Sequence, residues 1–467
     1  MIIIRRLKIF SVSFALCFAF LISVIFTIAF IKSGDYTYMA VDQRTSDKTV
    51  RRTITDRNMI PLTGSEPRYE KDTLAKHVIG YTDSSNTGIS GIEKALDYHI
   101  RTDESMQYPA LKDANGNDIS VFQPSSAKGE KYIKLTLDYH IQKITENVLD
   151  KYGGSGAAVV LEADTFDVLA IASRPDFEQS NIGAYIQSGG TELLNRAISR
   201  YNAGSIFKIV TMAASLEEGI CPSSLFCGGA EIYDNIIFPC HNPNGHGWLT
   251  PDDALAKSCN CAFYQIGTAL GSEVLCKYAE KFGLGKSALG GILSESKGNV
   301  PKFLAKNTSE AANLSIGQGE ILITPVQAAK IACIIASGGI SDNVNIADSI
   351  CYENGSIYEM LRQKNPERII SEENAKRIGE MMIKTTLDGT GTNAKSEKVS
   401  IAGKTGSAET GWQTEEGYMV QGWFIGFFPY ESPKYAMAVM TENGRGGNIS
   451  CAPVFKEIAE KITELNY

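Results

Sequence analysis

Ala203-Gly204-Ser205-Ile206-Phe207-Lys208-Ile209-Val210-Thr211-Met212 is the stretch on which the fold turns. Its serine and lysine stand three residues apart, and the apolar spacing that follows predicts a helix from near Ser205 through Val210, Met212 and Leu216 to Gly219. On a helix, positions i and i+3 share a face, so the lysine amine can reach the serine hydroxyl. A serine at the helix N-terminus also meets free N–H groups and the positive end of the dipole, which favour developing negative charge. The spacing alone is not specific. Ser125-Ser126-Ala127-Lys128 and Ser294-Glu295-Ser296-Lys297 share it, but the first follows Pro124 and runs into Gly129, and the second lies between Gly290-Gly291 and Gly298. Both have loop composition.

Two later motifs single out Ser205. Ser258-Cys259-Asn260 opens onto Cys261-Ala262-Phe263-Tyr264-Gln265-Ile266, a pattern that predicts a buried helix. A serine and an asparagine at a helix start can also be a simple cap. Ser341-Asp342-Asn343 and Ser84-Ser85-Asn86 repeat the Ser-x-Asn spacing, and at Ser341, after Gly338-Gly339, the composition is that of a turn. Lys404-Thr405-Gly406 occurs once, at the end of a strand predicted over Val399 to Gly403, with Ser407 behind it. A cation beside a hydroxyl suits a carboxylate, and Gly406 lets another backbone come close.

Around these motifs the pattern is mixed. A helix is predicted from Tyr139 to Tyr152, ended by Gly153-Gly154, and another from Pro325 to Ala336. Ala157 to Leu161 and Val168 to Ala172 flank a polar turn and read as a β-hairpin. Strands are predicted at Val399 to Ala402, Gly422 to Phe428 and Tyr435 to Met440, and a last helix at Val454 to Leu465. Strands at both ends with helices between predict an α+β domain over 132–467 whose antiparallel sheet is completed by the C-terminal strands.

Ahead of that domain, Ile9 to Ile31 is an uncharged, mostly apolar run bracketed by Arg5, Arg6 and Lys8 on one side and Lys32 on the other. As a helix it rises roughly 34 Å, the thickness of a bilayer core, which predicts a transmembrane helix over 9–31. The basic cluster assigns residues 1–8 to the cytoplasm and the rest to the outside. Residues 33–130 are polar and predict a small β-rich pedestal. With 43% hydrophobic and 21% charged residues the chain of 467 is globular, and a net charge of −8 gives no reason to expect nucleic acid. Of the ten cysteines, Cys17 falls in the apolar run, leaving an odd number beyond it. Cys221, Cys227 and Cys240 are close enough in sequence to pair, but spacing does not give connectivity. Cys227, Cys240, His241 and His246 match no strong zinc template and read as loop residues or small buried groups. No metal is expected.

Taken together and in order, Ser205 to Lys208, Ser258-x-Asn260 and Lys404-Thr405-Gly406 resemble the motif set of the serine penicillin-recognising enzymes. Arg51 to Asn58 and Ser90-Gly91-Ile92-Glu93-Lys94 are similar to pedestal patches of class B, monofunctional penicillin-binding proteins. Asn195-Arg196, Gly317-Gln318-Gly319 and Gly422-Trp423-Phe424-Ile425-Gly426 are similar to that family as well. Ala203, Ile206 and Ser407 are mild departures from its commoner residues. The resemblance implies a transpeptidase or serine β-lactamase-like domain and a peptidoglycan D,D-transpeptidase with Ser205 as nucleophile and Lys208 as base. It implies that Ser258 and Asn260 relay a proton and orient the substrate, and that Lys404, Thr405, Gly406 and Ser407 form the carboxylate and oxyanion sites. No metal or organic cofactor is implied. Peptidoglycan stem peptides, β-lactam antibiotics, the cell membrane and a multi-span membrane glycan polymerase are the implied partners. A β-lactam hydrolase with Glu295 to Asn299 as its base region, a D,D-carboxypeptidase and a non-enzymatic β-lactam sensor are the alternatives on the same fold.

Overall fold

The computed structural model describes residues 2–26, 50–64, 66–102, 110–112, 118–121, 130–302, 308–414 and 417–465. Contacts divide the chain into two compact units, Met1–Val50 with Thr102–Gly129, and Arg51–Arg101 with Glu130–Tyr467. The smaller unit contains helix α1 (Ile2–Phe26) and a hairpin of Ala110–Lys112 with Asp118–Val121. Among the described residues no helix is long and apolar enough to cross a membrane. Residues 27–31 of the predicted span, most of the predicted pedestal between 103 and 129, and Ser125 to Lys128 lie outside the described residues.

The larger unit is α+β. Its central sheet contains β1 (Gly156–Glu162), β2 (Val168–Arg174), β3 (Ala402–Thr414), β4 (Gly417–Phe428) and β5 (Tyr435–Thr441), in the order β3-β4-β5-β1-β2. Every neighbouring pair is antiparallel, so the C-terminal strands complete the sheet that the early hairpin begins. The unit's helices include α2 (Tyr139–Tyr152), α3 (Lys208–Glu217), α4 (Asn260–Leu270), α5 (Pro325–Ala336), α6 (Glu372–Asp388) and α7 (Ala452–Thr463). Local chemistry sets their ends. Asp138 caps α2 by accepting from the N–H groups of His140 and Ile141, and Thr324 with Gln327 forms a capping box ahead of Pro325.

Both faces of the sheet are covered. Ala157, Val159 and Leu161 of β1 and Ala436, Ala438 and Met440 of β5 join the core that holds Val326 and Ile331 of α5. The alternate residues, Ala158, Val160, Met437 and Val439, join a second core with Ile141 and Val148 of α2 and Phe455 and Ile458 of α7. Two covered faces explain why these strands read as continuous apolar runs. Each fully buried valine, leucine or phenylalanine stabilises the arrangement by about 1.5–3 kcal/mol.

The structure moves two predicted boundaries. The strand predicted at Val399 begins only at Ala402, because Val399 and Ile401 bury their side chains in the second core without joining the ladder. Lys404-Thr405-Gly406 therefore sits inside β3, opposite Ile425, Phe424 and Trp423 of β4, and not at a strand end. The helix predicted from Ser205 starts as a 3-10 turn, Gly204–Phe207, which feeds into α3 at Lys208.

Arg51–Arg101 packs within this larger unit. Ile54–Thr55 pairs in parallel with Lys131–Leu135 at the edge of a second sheet. Asp56 receives the N–H of Tyr139 at the start of α2. The two pedestal-like patches meet inside it: Arg51 reaches Glu93 at 2.9 Å through Nε and Asp97 at 2.6 Å, and Arg68 reaches the other Glu93 oxygen at 2.7 Å.

Candidate active site

Ser205 stands where the 3-10 turn lies against β3. Gly204 adopts φ +56°, and a Cβ there would lie 3.0 Å from the Ser407 carbonyl oxygen and 3.2 Å from the Ala408 Cβ. Only glycine accepts both that backbone and that approach. From the other side, a Cβ on Gly406 would meet Ile206 Cγ2 at 3.0 Å and Ile206 N at 3.5 Å. The close backbone expected at Gly406 is thus the residue after Ser205. These contacts hold the residues on either side of Ser205 against 406–408 of β3.

Lys208 is fully buried one turn further on. Its Nζ lies 2.7 Å from the Ser258 carbonyl oxygen, 2.7 Å from Asn260 Oδ1 and 3.3 Å from Ser258 Oγ. Lys404 is also fully buried, with Nζ 2.8 Å from Ser258 Oγ and 2.8 Å from the Thr405 carbonyl oxygen. The Ser258 hydroxyl therefore bridges two amines. Among the described residues neither lysine has a carboxylate partner. Burial pulls Lys208 down to about 7, against the opposing pull of the Cys259, Cys240 and Cys261 sulfurs. Burial, and then the charge of Lys208, push Lys404 well below the usual lysine range. A neutral Lys208 fits its surroundings: two N–H groups satisfy the Ser258 carbonyl and Asn260, and the lone pair is left for a hydroxyl.

Ser258 itself is strained. At φ +53° it occupies the left-handed region, which costs a non-glycine residue on the order of 1–3 kcal/mol. Neither it nor Asn260 is a helix cap; Cys259 takes that position with no side-chain capping bond. From this backbone the Ser258 hydroxyl reaches both lysines.

These groups open on a cavity of about 620 Å³ lined by Ser205, Ser258, Asn260, Thr405, Gly406 and Ser407. Thr405 Oγ1 lies 2.7 Å from Thr390 Oγ1, and Ser407 Oγ accepts from the Gly447 N–H at 3.3 Å. Lys404 lies beneath the wall and not on it. Thr390, Gln318 and Arg445 also line the cavity. Thr390 and Arg445 belong to none of the sequence motifs, and the one available signal for Arg445 is a lone cation within Gly444-Arg445-Gly446-Gly447. Among the described residues no aspartate or glutamate lines it.

The competing motifs lie elsewhere. Ser294 to Lys297 forms no helix. Glu295 accepts from Ser287 Oγ at 2.7 Å, the Leu289 N–H at 2.9 Å and Thr324 Oγ1 at 3.0 Å, so it ties a loop together and faces a different cavity. Ser341 to Asn343 turns out of a two-residue strand, with Asp342 accepting from the N–H groups of Asn343 and Asn365. Asn86 lies at φ +57°.

Residues 156–460 match the family described as penicillin binding protein transpeptidase domain. The chain belongs to that family. It is 29% identical to stage V sporulation protein D of Bacillus subtilis over 84% of this chain and 62% of that protein. It is 30% identical to peptidoglycan D,D-transpeptidase PbpA of Mycolicibacterium smegmatis over 62% of each. The chain thus spans about three-fifths of these relatives. Among solved structures, the penicillin G acyl-enzyme complex of penicillin-binding protein A from Mycobacterium tuberculosis aligns with a TM-score of 0.74 and 25% identity, covering 89% of this chain and all of that one.

Proposed function

We propose that this penicillin-binding transpeptidase-family chain is a peptidoglycan D,D-transpeptidase of the monofunctional, class B kind that β-lactams acylate at Ser205. The observation that carries this reading is Lys208, fully buried without a carboxylate partner one turn after Ser205, at the foot of a cavity with no described carboxylate. Ser205 Oγ attacks the penultimate D-alanyl carbonyl of a stem peptide while the neutral Lys208 amine takes its proton. The N–H groups of Ser205 and Ser407 receive the oxyanion. The proton returns to the leaving D-alanine amine through Ser258, whose hydroxyl bridges Lys208 and Lys404. Thr405, Ser407 and Arg445 hold the substrate carboxylate, with the Lys404 amine beneath them on the Thr405 carbonyl oxygen. An amino group of a second stem peptide then takes the acyl chain.

The absence of a described carboxylate at Ser205 favours transfer to an amine over rapid hydrolysis, and separates this reading from a β-lactamase. The membrane setting belongs to the same proposal: the apolar run at 9–31 and the basic residues ahead of it support a single-pass anchor with the catalytic domain outside. A multi-span glycan polymerase is the partner this arrangement calls for. Exchange of labelled D-alanine into a pentapeptide stem by the purified chain tests the reaction. Exchange by wild type and none by Ser205→Ala is the expected result; release of D-alanine to water alone would favour a carboxypeptidase.

A further inference from the structure

We propose that Cys227, Cys240, His246 and Cys259 hold one zinc ion, and that this ion braces the Ser258-Cys259-Asn260 turn. Three of the side chains come from the segment 225–249 and the fourth from the start of α4. Cys227 ends the strand Leu225–Cys227, Cys240 follows the strand Ile236–Pro239, His246 precedes the strand Gly247–Leu249, and Cys259 precedes α4. Their ligand atoms all lie within 4.8 Å of one another. Cys227 Sγ is 3.4 Å from His246 Nδ1, Cys240 Sγ is 3.7 Å from the same nitrogen, and Cys240 Sγ is 4.0 Å from Cys259 Sγ. A tetrahedral zinc with ordinary bond lengths sets sulfur–sulfur edges of about 3.8 Å and sulfur–nitrogen edges of about 3.6 Å. The two sulfur–nitrogen separations bracket the second value, and the sulfur–sulfur separation lies within a few tenths of an ångström of the first. Three thiolates and an imidazole in a compact tetrahedron select zinc over hard cations, which take oxygen ligands. On binding, the three thiols release their protons and the neutral imidazole supplies its lone pair.

A second observation points the same way. The segment 225–249 buries few side chains of its own: Leu225, Leu249 and the two thiols Cys227 and Cys240. Its tip exposes Ile232, Ile236 and Ile237. Segments this small cannot build a sufficient core and are commonly held by a staple. Here the staple would join that segment to α4 at the residue between Ser258 and Asn260. The spacing Cys-x12-Cys-x5-His-x12-Cys fits no common sequence template, and its last ligand lies inside a catalytic motif. His241, the sequence-level alternative to Cys259, lies 3.9 Å from Cys240 Sγ through Nδ1 and, like Cys240, lines the Ser205 cavity; it is not among the four whose ligand atoms all meet. Cys261 lies beside Cys227 and Cys240 as a further thiol.

The brace acts on position. Asn260 Nδ2 donates to the Pro239 carbonyl oxygen at 3.3 Å and Tyr264 donates to it at 3.2 Å, so the metal would reinforce a junction these bonds already mark. Fixing Cys259 fixes the strained backbone of Ser258 and, with it, the hydroxyl between the two lysines.

Elemental analysis of the full chain, purified from cells grown with zinc sulfate, tests the site independently of any activity. One zinc per chain is expected. It should be released when Cys227, Cys240 and Cys259 are alkylated, and replacement by cobalt chloride should give the visible spectrum of a tetrahedral, sulfur-rich centre. His246→Ala, at a partly exposed ligand, should keep the fold but lose zinc to chelator at least tenfold more readily. A metal-free chain with freely reactive thiols, a disulfide among the four positions, or zinc retained equally by His246→Ala and Cys227→Ser would overturn the site. Chelator-stripped chain should acylate with benzylpenicillin at least tenfold more slowly and recover with zinc sulfate but not magnesium chloride. An unchanged rate in stripped chain would overturn the brace.

Discussion

Two regions of the larger unit bury cations, and they do so in opposite ways. At Arg51 the charge is answered: Glu93, itself fully buried, receives Arg51 and Arg68, and Asp97 takes the remaining Arg51 nitrogen. At Lys208 and Lys404 no carboxylate among the described residues answers it; the two buried amines share one serine hydroxyl and otherwise donate to carbonyl and amide oxygens. The first arrangement holds a fold together, because an ion pair taken from water must satisfy its own charges. The second would be a fault in a purely structural core. Leaving an ammonium buried and unpaired drives it toward the neutral amine, the form a general base needs.

The contrast can be broken at its strongest point by Lys208→Ala. Acylation by benzylpenicillin should fall on the order of 10²- to 10⁴-fold, the usual contribution of a general base, in stopped-flow or fluorescent-penicillin kinetics. Thermal stability should hold or rise. Glu93→Gln should do the reverse. It should cost about 3 kcal/mol in denaturant unfolding, because it leaves Arg51 and Arg68 buried against a neutral amide. The acylation rate per folded molecule should stay near wild type. If Glu93→Gln instead slowed acylation in a well-folded chain, the division between structural and chemical cations would fail.

pH sharpens the comparison. Only the neutral Lys208 amine accepts a proton, so the acylation rate should climb about tenfold per pH unit below the Lys208 value of about 7 and level off above it. Stability carries the same sign. The folded chain binds fewer protons than the unfolded one between pH 7 and the ordinary lysine value of about 10.4, so wild type should gain stability across that window. Lys208→Met lacks the titration, so its advantage over wild type should be greatest below pH 7 and shrink toward pH 10. The smallest effect is expected at Arg57, whose pair with Glu162 at 3.1 Å is part exposed. Arg57→Ala should cost about 1 kcal/mol or less in the same unfolding measurement.

Much of this was legible in the residues because local rules wrote it. Asp138 and Gly153 bracket α2, Thr324 and Pro325 start α5, and the polar turn between β1 and β2 declares a hairpin. The three motifs that meet at the cavity are readable only as an ordered set, since Ser-x-x-Lys and Ser-x-Asn each recur. What stayed hidden depends on contacts between distant parts of the chain. Val399 looks like a strand because it is apolar, but it is buried in the second core and lies outside the ladder. Lys404 reads as a surface cation at a strand end; the pairing of β3 with β4 carries it inside. Thr390 and Arg445 reach the cavity from loops with no motif of their own. Cys259 reads as the variable residue of Ser-x-Asn, and only the fold brings its sulfur to Cys240.

The central claim is that Ser205 forms an acyl-enzyme that Lys208 makes possible and that, with no carboxylate among the described residues at the cavity, water does not rapidly break. Intact-mass analysis of the chain with benzylpenicillin over time, followed by peptide mapping, measures this directly. A single stoichiometric adduct on the peptide carrying Ser205, persisting for many minutes and absent in Ser205→Ala, is the predicted result. An adduct on another serine, no adduct, or fast release of hydrolysed penicillin would contradict it.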